Sequence, residues 1–134
     1  MTKTFALFLF SFATLLPVAN SAAAADRVQA GEWETKTTIA GKPVVSKYCI
    51  TAADARLMNG DEATLRRYVE QSTAEKTKGR CAVKSVVVTG NRTVVTIACG
   101  KTQVVGTTTY HGDHYESTSS NGVTLVGKRV GACP

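Results

Sequence analysis

The sequence predicts a mainly β protein: a small antiparallel meander, closed as a barrel or open as a half-barrel. It would have about seven strands, one helical insertion at about 51–78, and disulfide staples. Three observations predict this fold. Short segments rich in valine and threonine are separated by glycine-containing turns, the residue pattern becomes helical in one region, and four cysteines are available for cross-links.

The first predicted hairpin opens the domain. The segment "GEWETKTTIA" at 31–40 contains threonine, tryptophan and isoleucine, which favour strands, and "VVSKYCI" at 44–50 is the returning strand. Between them, Gly41-Lys42-Pro43 predicts a turn, because glycine and proline both favour turn conformations.

The helical insertion follows directly. Thr51 and Asp54 have the spacing of a capping box, so a short helix is predicted over "AADARLM", ending at Asn59-Gly60. A second helix is predicted from Asp61. Its apolar stripe is thin, so we expect this helix to lie at a sheet edge or barrel mouth. The stripe consists of Leu65, Tyr68, Val69 and Ser72.

From Cys81 onward, the chain is predicted to be strands joined by tight turns. "CAVKSVVV" and "RTVVTIAC" flank a turn at 89–91 that contains glycine and asparagine. "TQVVGTTTYH" and "HYESTSS" flank Gly112-Asp113, and "VTLVGKRV" follows Asn121-Gly122. Consecutive tight turns favour neighbouring antiparallel strands, and hence a meander.

The first 25 residues have the three parts of a cleaved secretory signal. Lys3 supplies the positive charge, an apolar run extends from Phe5 to Val18, and small residues precede a cut after Ala23 or Ala25. The apolar run is too short to cross a bilayer as a helix. We therefore expect an exported, periplasmic protein with a single domain at 26–134 and no transmembrane span after cleavage.

The four cysteines predict two disulfides, because an oxidising compartment favours them and the spacings lack the close ligand pairs of zinc sites. Sequential pairing, Cys49–Cys81 with Cys99–Cys133, would clamp the helical insertion at its base and is the preferred arrangement. The alternative is Cys81–Cys99 with Cys49–Cys133. It is favoured by the turn at 89–91, which places Cys81 opposite Cys99.

The chain is basic, with a formal net charge of +6 that falls to +5 without Lys3. In an exported protein, this balance favours an anionic envelope lipid over nucleic acid as a partner, although solubility alone also accounts for it. A basic cluster in and after the second helix could hold lipid phosphate, or could be its solvated face. The cluster consists of Arg66, Arg67, Lys76, Lys78 and Arg80.

The segment "YHGDHY" at 110–115 is the strongest candidate for metal chemistry. A two-residue loop at Gly112-Asp113 would place His111 and His114 opposite one another on one face, with Asp113 as a third ligand. Structural and catalytic metal sites normally use three or four protein ligands, and the chain contains no further histidine. We therefore interpret the segment as a hairpin tip.

Other chemistry finds little support in the sequence. No serine lies in a G-x-S-x-G elbow, and oxidised cysteines are not nucleophilic thiolates. We expect no catalytic residue and no cofactor, and hence no enzyme.

Trp33 follows a glycine by two positions in the first strand, which resembles the arrangement in lipocalin-like barrels. There, a first-strand tryptophan packs under a basic side chain of the last strand. If the first and last strands pair, Arg129 could make a cation–π contact with Trp33. Alternatively, Trp33 simply fills a valine-rich core.

The order of several motifs resembles the DUF3617 family. They are "GEWE" in the first strand, "YCIT" before the helices, Cys81 and Cys99 around a turn, "GDHY", and the closing "GKRVGAC". The resemblance covers essentially the whole domain and implies an exported envelope protein of unknown function, without assigned catalytic residues. It explains the hairpin chemistry of "GDHY" and leaves His111 and His114 unexplained.

These observations favour a non-enzymatic binding or interaction protein of the periplasm. Its ligand would be a small apolar molecule or a lipid inside the curled sheet, or an envelope component on its surface. An open pocket lined by Val83, Val95, Ile97 and Trp33 would support this hypothesis. A filled interior would favour a small inhibitor or structural module instead, and bound metal would favour an enzyme centred on His111 and His114.

Overall fold

The computed structural model describes residues 26–134, which form seven strands and two helices. The predicted signal segment at 1–25 and its cleavage site lie outside the described residues. The mainly β fold with one helical insertion is confirmed. In chain order the elements are β1 Gly31–Ile39, β2 Lys42–Ile50, α1 Ala52–Met58, α2 Glu62–Thr77, β3 Cys81–Thr89, β4 Arg92–Cys99, β5 Thr102–Tyr110, β6 His114–Ser119 and β7 Thr124–Gly131.

The strands form one antiparallel sheet in the order β2-β1-β7-β6-β5-β4-β3. The first and last strands are neighbours, while β2 and β3 form the two edges of the sheet. These edges do not pair with each other, so the sheet is a half-barrel, and a closed barrel is not seen. The helices connect the two edges, and α2 packs along β3. This confirms that α2 lies at a sheet edge.

The β1–β2 turn is shorter than the sequence predicted. Ala40 and Gly41 both have positive φ, 49° and 76°, and Ile39 pairs with Lys42. This is a two-residue turn whose twist matches that of the strands. The predicted turn at 41–43 is therefore wrong. Pro43 belongs to β2, where an edge strand tolerates its missing N–H.

The cysteines pair as Cys49–Cys133 and Cys81–Cys99, so the preferred sequential pairing is wrong. Cys81 lies opposite Cys99 in the β3–β4 ladder, with their Cα atoms 4.2 Å apart. The register at this end results from a two-residue turn and a one-residue shift between Val83 and Ser85. The other disulfide joins β2 to the segment after β7, because β1 holds these two strands on its two sides.

Both helices begin as the sequence predicted. Thr51 and Asp54 form a complete capping box on α1, and Asp61 caps α2 by accepting a hydrogen bond from the Thr64 N–H. Lys78, with a φ of 52°, ends α2 in the left-handed conformation. Each capping side chain accepts from an N–H that lacks a partner within the helix, and this fixes where the helix starts.

The hydrophobic core is small and lies at one end of the half-barrel. Trp33 is fully buried, and Val28 is 1% exposed. The segment at 26–30 lies over this end, where Arg27 donates hydrogen bonds to the carbonyl groups of Met58 and Gly60. The core cluster consists of Val28, Trp33, Ile50 and Ala55. Within residues 26–134, neither helix has the length and apolar character needed to cross a membrane.

Candidate functional site

A cavity of about 570 Å³ lies between the sheet and α2, and we call it the slot. The sheet face turned toward it is called the inner face. Eight of the lining side chains carry hydroxyl groups: Thr35, Thr37, Ser46, Tyr48, Tyr68, Ser72, Thr73 and Tyr115. The others are Cys49, Ile50, Asp54, Met58, Val69, Lys76, Ile97 and Leu125.

Strand alternation places the sheet residues of the slot. Successive side chains of a strand point to opposite faces, so Thr35 and Thr37 share the inner face of β1. In the β1–β2 ladder, Ser46 lies opposite Thr35 and Tyr48 lies opposite Trp33, on the same face. On the other side of β1, Leu125 of β7 lies opposite Thr37. The slot therefore has threonine at its centre, flanked by side chains from both neighbouring strands.

The helix supplies the facing wall. Tyr68, Val69, Ser72, Thr73 and Lys76 recur at helical spacing, so they lie on one face of α2. Three of the four residues of the predicted stripe, Tyr68, Val69 and Ser72, therefore line the slot. The fourth, Leu65, is buried and does not line it.

The two ends of the slot differ. Near the start of α2, Glu62 accepts a hydrogen bond from the Val88 N–H, and near its end Thr77 accepts from the Cys81 N–H. The helix is therefore antiparallel to β3. Lys76 lies near the Cys81–Cys99 end, which we call the open end. The other end lies against the core and α1, which contribute Ile50 and Asp54 to the lining, and we call it the closed end.

Three of the four tyrosines and the only tryptophan of the chain are in contact at the closed end, and the fourth tyrosine, Tyr68, lines the slot from α2. The ring centroids of Trp33 and Tyr115 are 5.7 Å apart, and those of Tyr110 and Tyr115 are 5.9 Å apart. Burial raises the pKa of Tyr115, of Tyr110 and of Tyr68 above the ordinary value of 10.0. Like ordinary tyrosine hydroxyls, these groups are protonated at neutral pH and can donate hydrogen bonds, and burial extends the protonated state to higher pH.

Tyr115 is the centre of this cluster. Its hydroxyl group lies 2.9 Å from Thr35 Oγ1 and 3.0 Å from Tyr48 Oη. Its ring lies over Gly127, its partner in the β6–β7 ladder. A side chain at position 127 would occupy the place of that ring, so the glycine allows the tyrosine to lie flat along the sheet.

Sequence reasoning missed this tyrosine cluster. A signal was present, because the turn at Gly112-Asp113 pairs Tyr110 with Tyr115 and places both on one face. Of the residues expected to line a pocket, Ile97 does so, while Trp33 lies in the core beneath it. Val83 and Val95 are not among the lining residues.

Arg129 lies opposite Trp33 in the β1–β7 ladder, as the predicted pairing of the first and last strands requires. Its Nε atom donates to the carbonyl oxygen of Ala30 at 2.8 Å, and its guanidinium group lies against Gly31. Trp33 instead packs against the tilted ring of Tyr115 and donates its indole N–H to the carbonyl of Gln29 at 3.0 Å. Arg129 therefore binds the main chain, and the predicted cation–π contact is not seen among the described residues.

The two histidines lie outside the slot, at the exposed β5–β6 turn. The rings of His111 and His114 stack with centroids 4.4 Å apart, and His114 Nδ1 lies 2.6 Å from Asp113 Oδ1. The hydrogen bond from His114 lowers the pKa of Asp113. Within residues 26–134, no group of three or more His, Cys, Asp or Glu side chains is arranged to hold a metal ion.

The basic cluster does not converge on one point. Arg66 forms an ion pair with Glu70 at 2.8 Å, and Arg67 contacts Thr64. Arg80 donates to the carbonyl of Thr77. Lys76 differs from these residues, since it lines the slot.

Comparison with characterised proteins and with solved structures gave no significant match. A family model, described as a protein of unknown function (DUF3617), matches residues 28–133. That range includes all seven strands, both helices, the four cysteines and the slot. The chain therefore belongs to the DUF3617 family.

Proposed function

We propose that this protein is an exported, non-enzymatic binding protein that holds a small, largely apolar ligand in the slot. The observation that carries the proposal is the slot itself. Its volume of about 570 Å³ lies within the range of about 300–1,000 Å³ typical of small-molecule sites. Its apolar side chains would contact the body of a ligand, and its hydroxyl groups would orient it.

The construction of the slot supports this proposal. Apolar side chains such as Leu125 and Ile97 line a cavity that they share with tyrosine, threonine and serine side chains. A ligand would complete this packing, because burying apolar surface is favourable at about 25 cal/mol per Å². The alternative of an inhibitor or structural module expected a filled interior, and the slot gives no support to that alternative.

A periplasmic location is part of the proposal and rests on the signal-like segment at 1–25 and on the two disulfides. Lys76 at the open end could also attract an anionic envelope lipid, since within residues 26–134 it is the one basic side chain that lines the slot. The apolar ligand remains the main proposal, because apolar and tyrosine side chains make up most of the remaining lining.

Binding can be tested with the neutral apolar dye N-phenylnaphthylamine, whose fluorescence rises in apolar surroundings. The full chain would be exported by an expression host and purified from its periplasm with both disulfides formed. We expect the wild type to enhance the fluorescence saturably. Ser46→Phe should abolish most of this enhancement, because position 46 lines the slot. The titration measures the dissociation constant for each protein.

A matched control is available on the same strand. Lys47 is also exposed, but its side chain lies on the opposite face of β2, beside Glu34. Lys47→Phe should therefore bind the dye like the wild type. Equal binding by both variants, or a wild type that does not enhance the dye, would contradict the proposed site.

A further inference from the structure

Three hydroxyl groups form a continuous chain at the closed end of the slot. Thr35 Oγ1 lies 2.9 Å from Tyr115 Oη, which in turn lies 3.0 Å from Tyr48 Oη. Each hydroxyl carries one proton. The two hydrogen bonds use two of the three protons, so one hydroxyl group keeps a proton for a further acceptor. If Thr35 and Tyr48 both donated to Tyr115, this proton would belong to Tyr115, which is less exposed than Tyr48. Otherwise it belongs to one end of the chain.

Burial determines which end this is. Thr35 is 4% exposed, and among the described residues Tyr115 is the only hydrogen-bond partner of its Oγ1. If Tyr48 donated to Tyr115 and Tyr115 to Thr35, the proton of Thr35 would be buried without an acceptor, which is costly. In the opposite direction, Thr35 donates to Tyr115 and Tyr115 donates to Tyr48. The available proton then belongs to Tyr48, which is 39% exposed and lines the slot.

This arrangement makes the hydroxyl group of Tyr48 a directed donor. A hydroxyl that accepts one hydrogen bond becomes a better donor of the next, because the bonds in a chain polarise one another. Tyr115 is held in place by its packing against Trp33 and over Gly127, so the chain is preorganised. The slot therefore offers a fixed donor beside the tyrosine rings of its closed end.

The charges around the slot select the acceptor. The carboxylate of Asp54 also lines the slot, and it would repel an anionic group placed near Tyr48. Lys76 lies toward the open end, at the far end of α2 from Asp54. A neutral acceptor, such as a carbonyl oxygen, is thus better matched to Tyr48 than a carboxylate or phosphate.

We propose that the slot takes a neutral, apolar ligand bearing a carbonyl group, and that the carbonyl oxygen accepts a hydrogen bond from Tyr48. This inference rests on the proposed function, since it specifies the ligand of the same slot. The apolar body of the ligand lies along the slot, toward Ile97 and Leu125.

The test compares two dyes on the same proteins. Prodan is a neutral naphthyl ketone whose emission moves to longer wavelength when its carbonyl accepts a hydrogen bond, and N-phenylnaphthylamine has no carbonyl. In Tyr48→Phe, we expect Prodan to bind about 5–10-fold more weakly, as for the loss of one neutral hydrogen bond, and to emit at shorter wavelength. Binding of N-phenylnaphthylamine should change by less than about twofold.

Tyr110→Phe is the matched control, because it also removes one tyrosine hydroxyl group, but Tyr110 neither lines the slot nor belongs to the hydroxyl chain. It should leave both dyes bound as in the wild type. If the wild type and Tyr48→Phe bind Prodan with equal affinity and emission while N-phenylnaphthylamine still binds, the inference is overturned and the proposed function stands. If the wild type binds neither dye, both are overturned.

Discussion

At the scale of single residues, Gly127 decides how the closed end of the slot is built. A Cβ atom at this position would lie 2.1 Å from the ring of Tyr115, so no larger residue can share the site with that ring. The ring position also fixes the hydroxyl group between Thr35 and Tyr48. The absence of a side chain at position 127 of β7 therefore allows the hydrogen-bond chain that joins β1, β6 and β2.

Gly127→Ala should therefore destabilise the protein by about 1–3 kcal/mol, the usual cost of overpacking. It should also weaken Prodan binding, since Tyr115 would no longer hold Tyr48. Gly106→Ala is the control, because it is also a mid-strand glycine, but its Cβ would meet its nearest atom at 3.8 Å. We expect a change within about 0.5 kcal/mol there. Urea unfolding measures the free energy of unfolding of each variant. Equal losses in Gly127→Ala and Gly106→Ala would contradict the role given to Tyr115.

At the scale of elements, the segment at 26–30 is fixed to the helical insertion by Asn59. Its Oδ1 atom accepts from the Val28 N–H at 2.9 Å, and its Nδ2 atom donates to the Val28 carbonyl at 2.8 Å. Val28 also lies in parallel with Gly112 of the β5–β6 turn. The segment thereby joins α1 to the far side of the sheet and covers the core.

Asn59→Ala should cost about 2–4 kcal/mol, because it leaves both main-chain groups of the buried Val28 without a partner. Asn121→Ala serves as control, since Asn121 makes a single hydrogen bond, to the Val123 N–H, in an exposed turn. We expect a loss below about 1 kcal/mol for the control. Thermal unfolding of the two variants measures both losses of stability. A similar loss in both would show that the segment contributes little to stability.

The element scale also shows where sequence reasoning fails. The strands, both helices and their caps could be predicted, because turn residues, capping spacing and helical period are local signals. Which side chains of β2 point to the inner face could not be predicted. A turn at 41–43 would have paired Thr35 with Cys49, whereas the real turn pairs it with Ser46. Such a slip exchanges the two faces of a strand, so Tyr48 and Ser46 were not recognised as slot residues.

At the scale of the whole molecule, the half-barrel depends on contacts between residues distant in sequence. The Cys49–Cys133 disulfide spans 84 residues, and the contact between Thr35 and Tyr115 spans 80. Sequence spacing could not decide the disulfides, because the preference for sequential pairing assumed that the insertion needed a clamp. The structure shows that α2 is instead held by packing along β3 and by hydrogen bonds from β3 to Glu62 and Thr77. The slot, likewise, is lined by side chains from five strands and both helices and could not be located from any one segment.

The tyrosine cluster also makes the whole molecule less stable at alkaline pH. Burial raises the pKa of Tyr68, Tyr110 and Tyr115 above 10.0, the ordinary value expected in the unfolded chain. The folded state thus keeps these protons where the unfolded state releases them. Their contribution is fully present below about pH 10 and is lost as pH rises from there toward the raised values. We expect the free energy of unfolding to fall over this range.

Tyr110→Phe should make the fall less steep, because one of the three groups no longer titrates. Urea unfolding at a series of pH values from about 8 to about 11 measures the slope. A level profile in the wild type would show that these tyrosines ionise alike in the folded and unfolded chains, and would contradict the burial of the cluster.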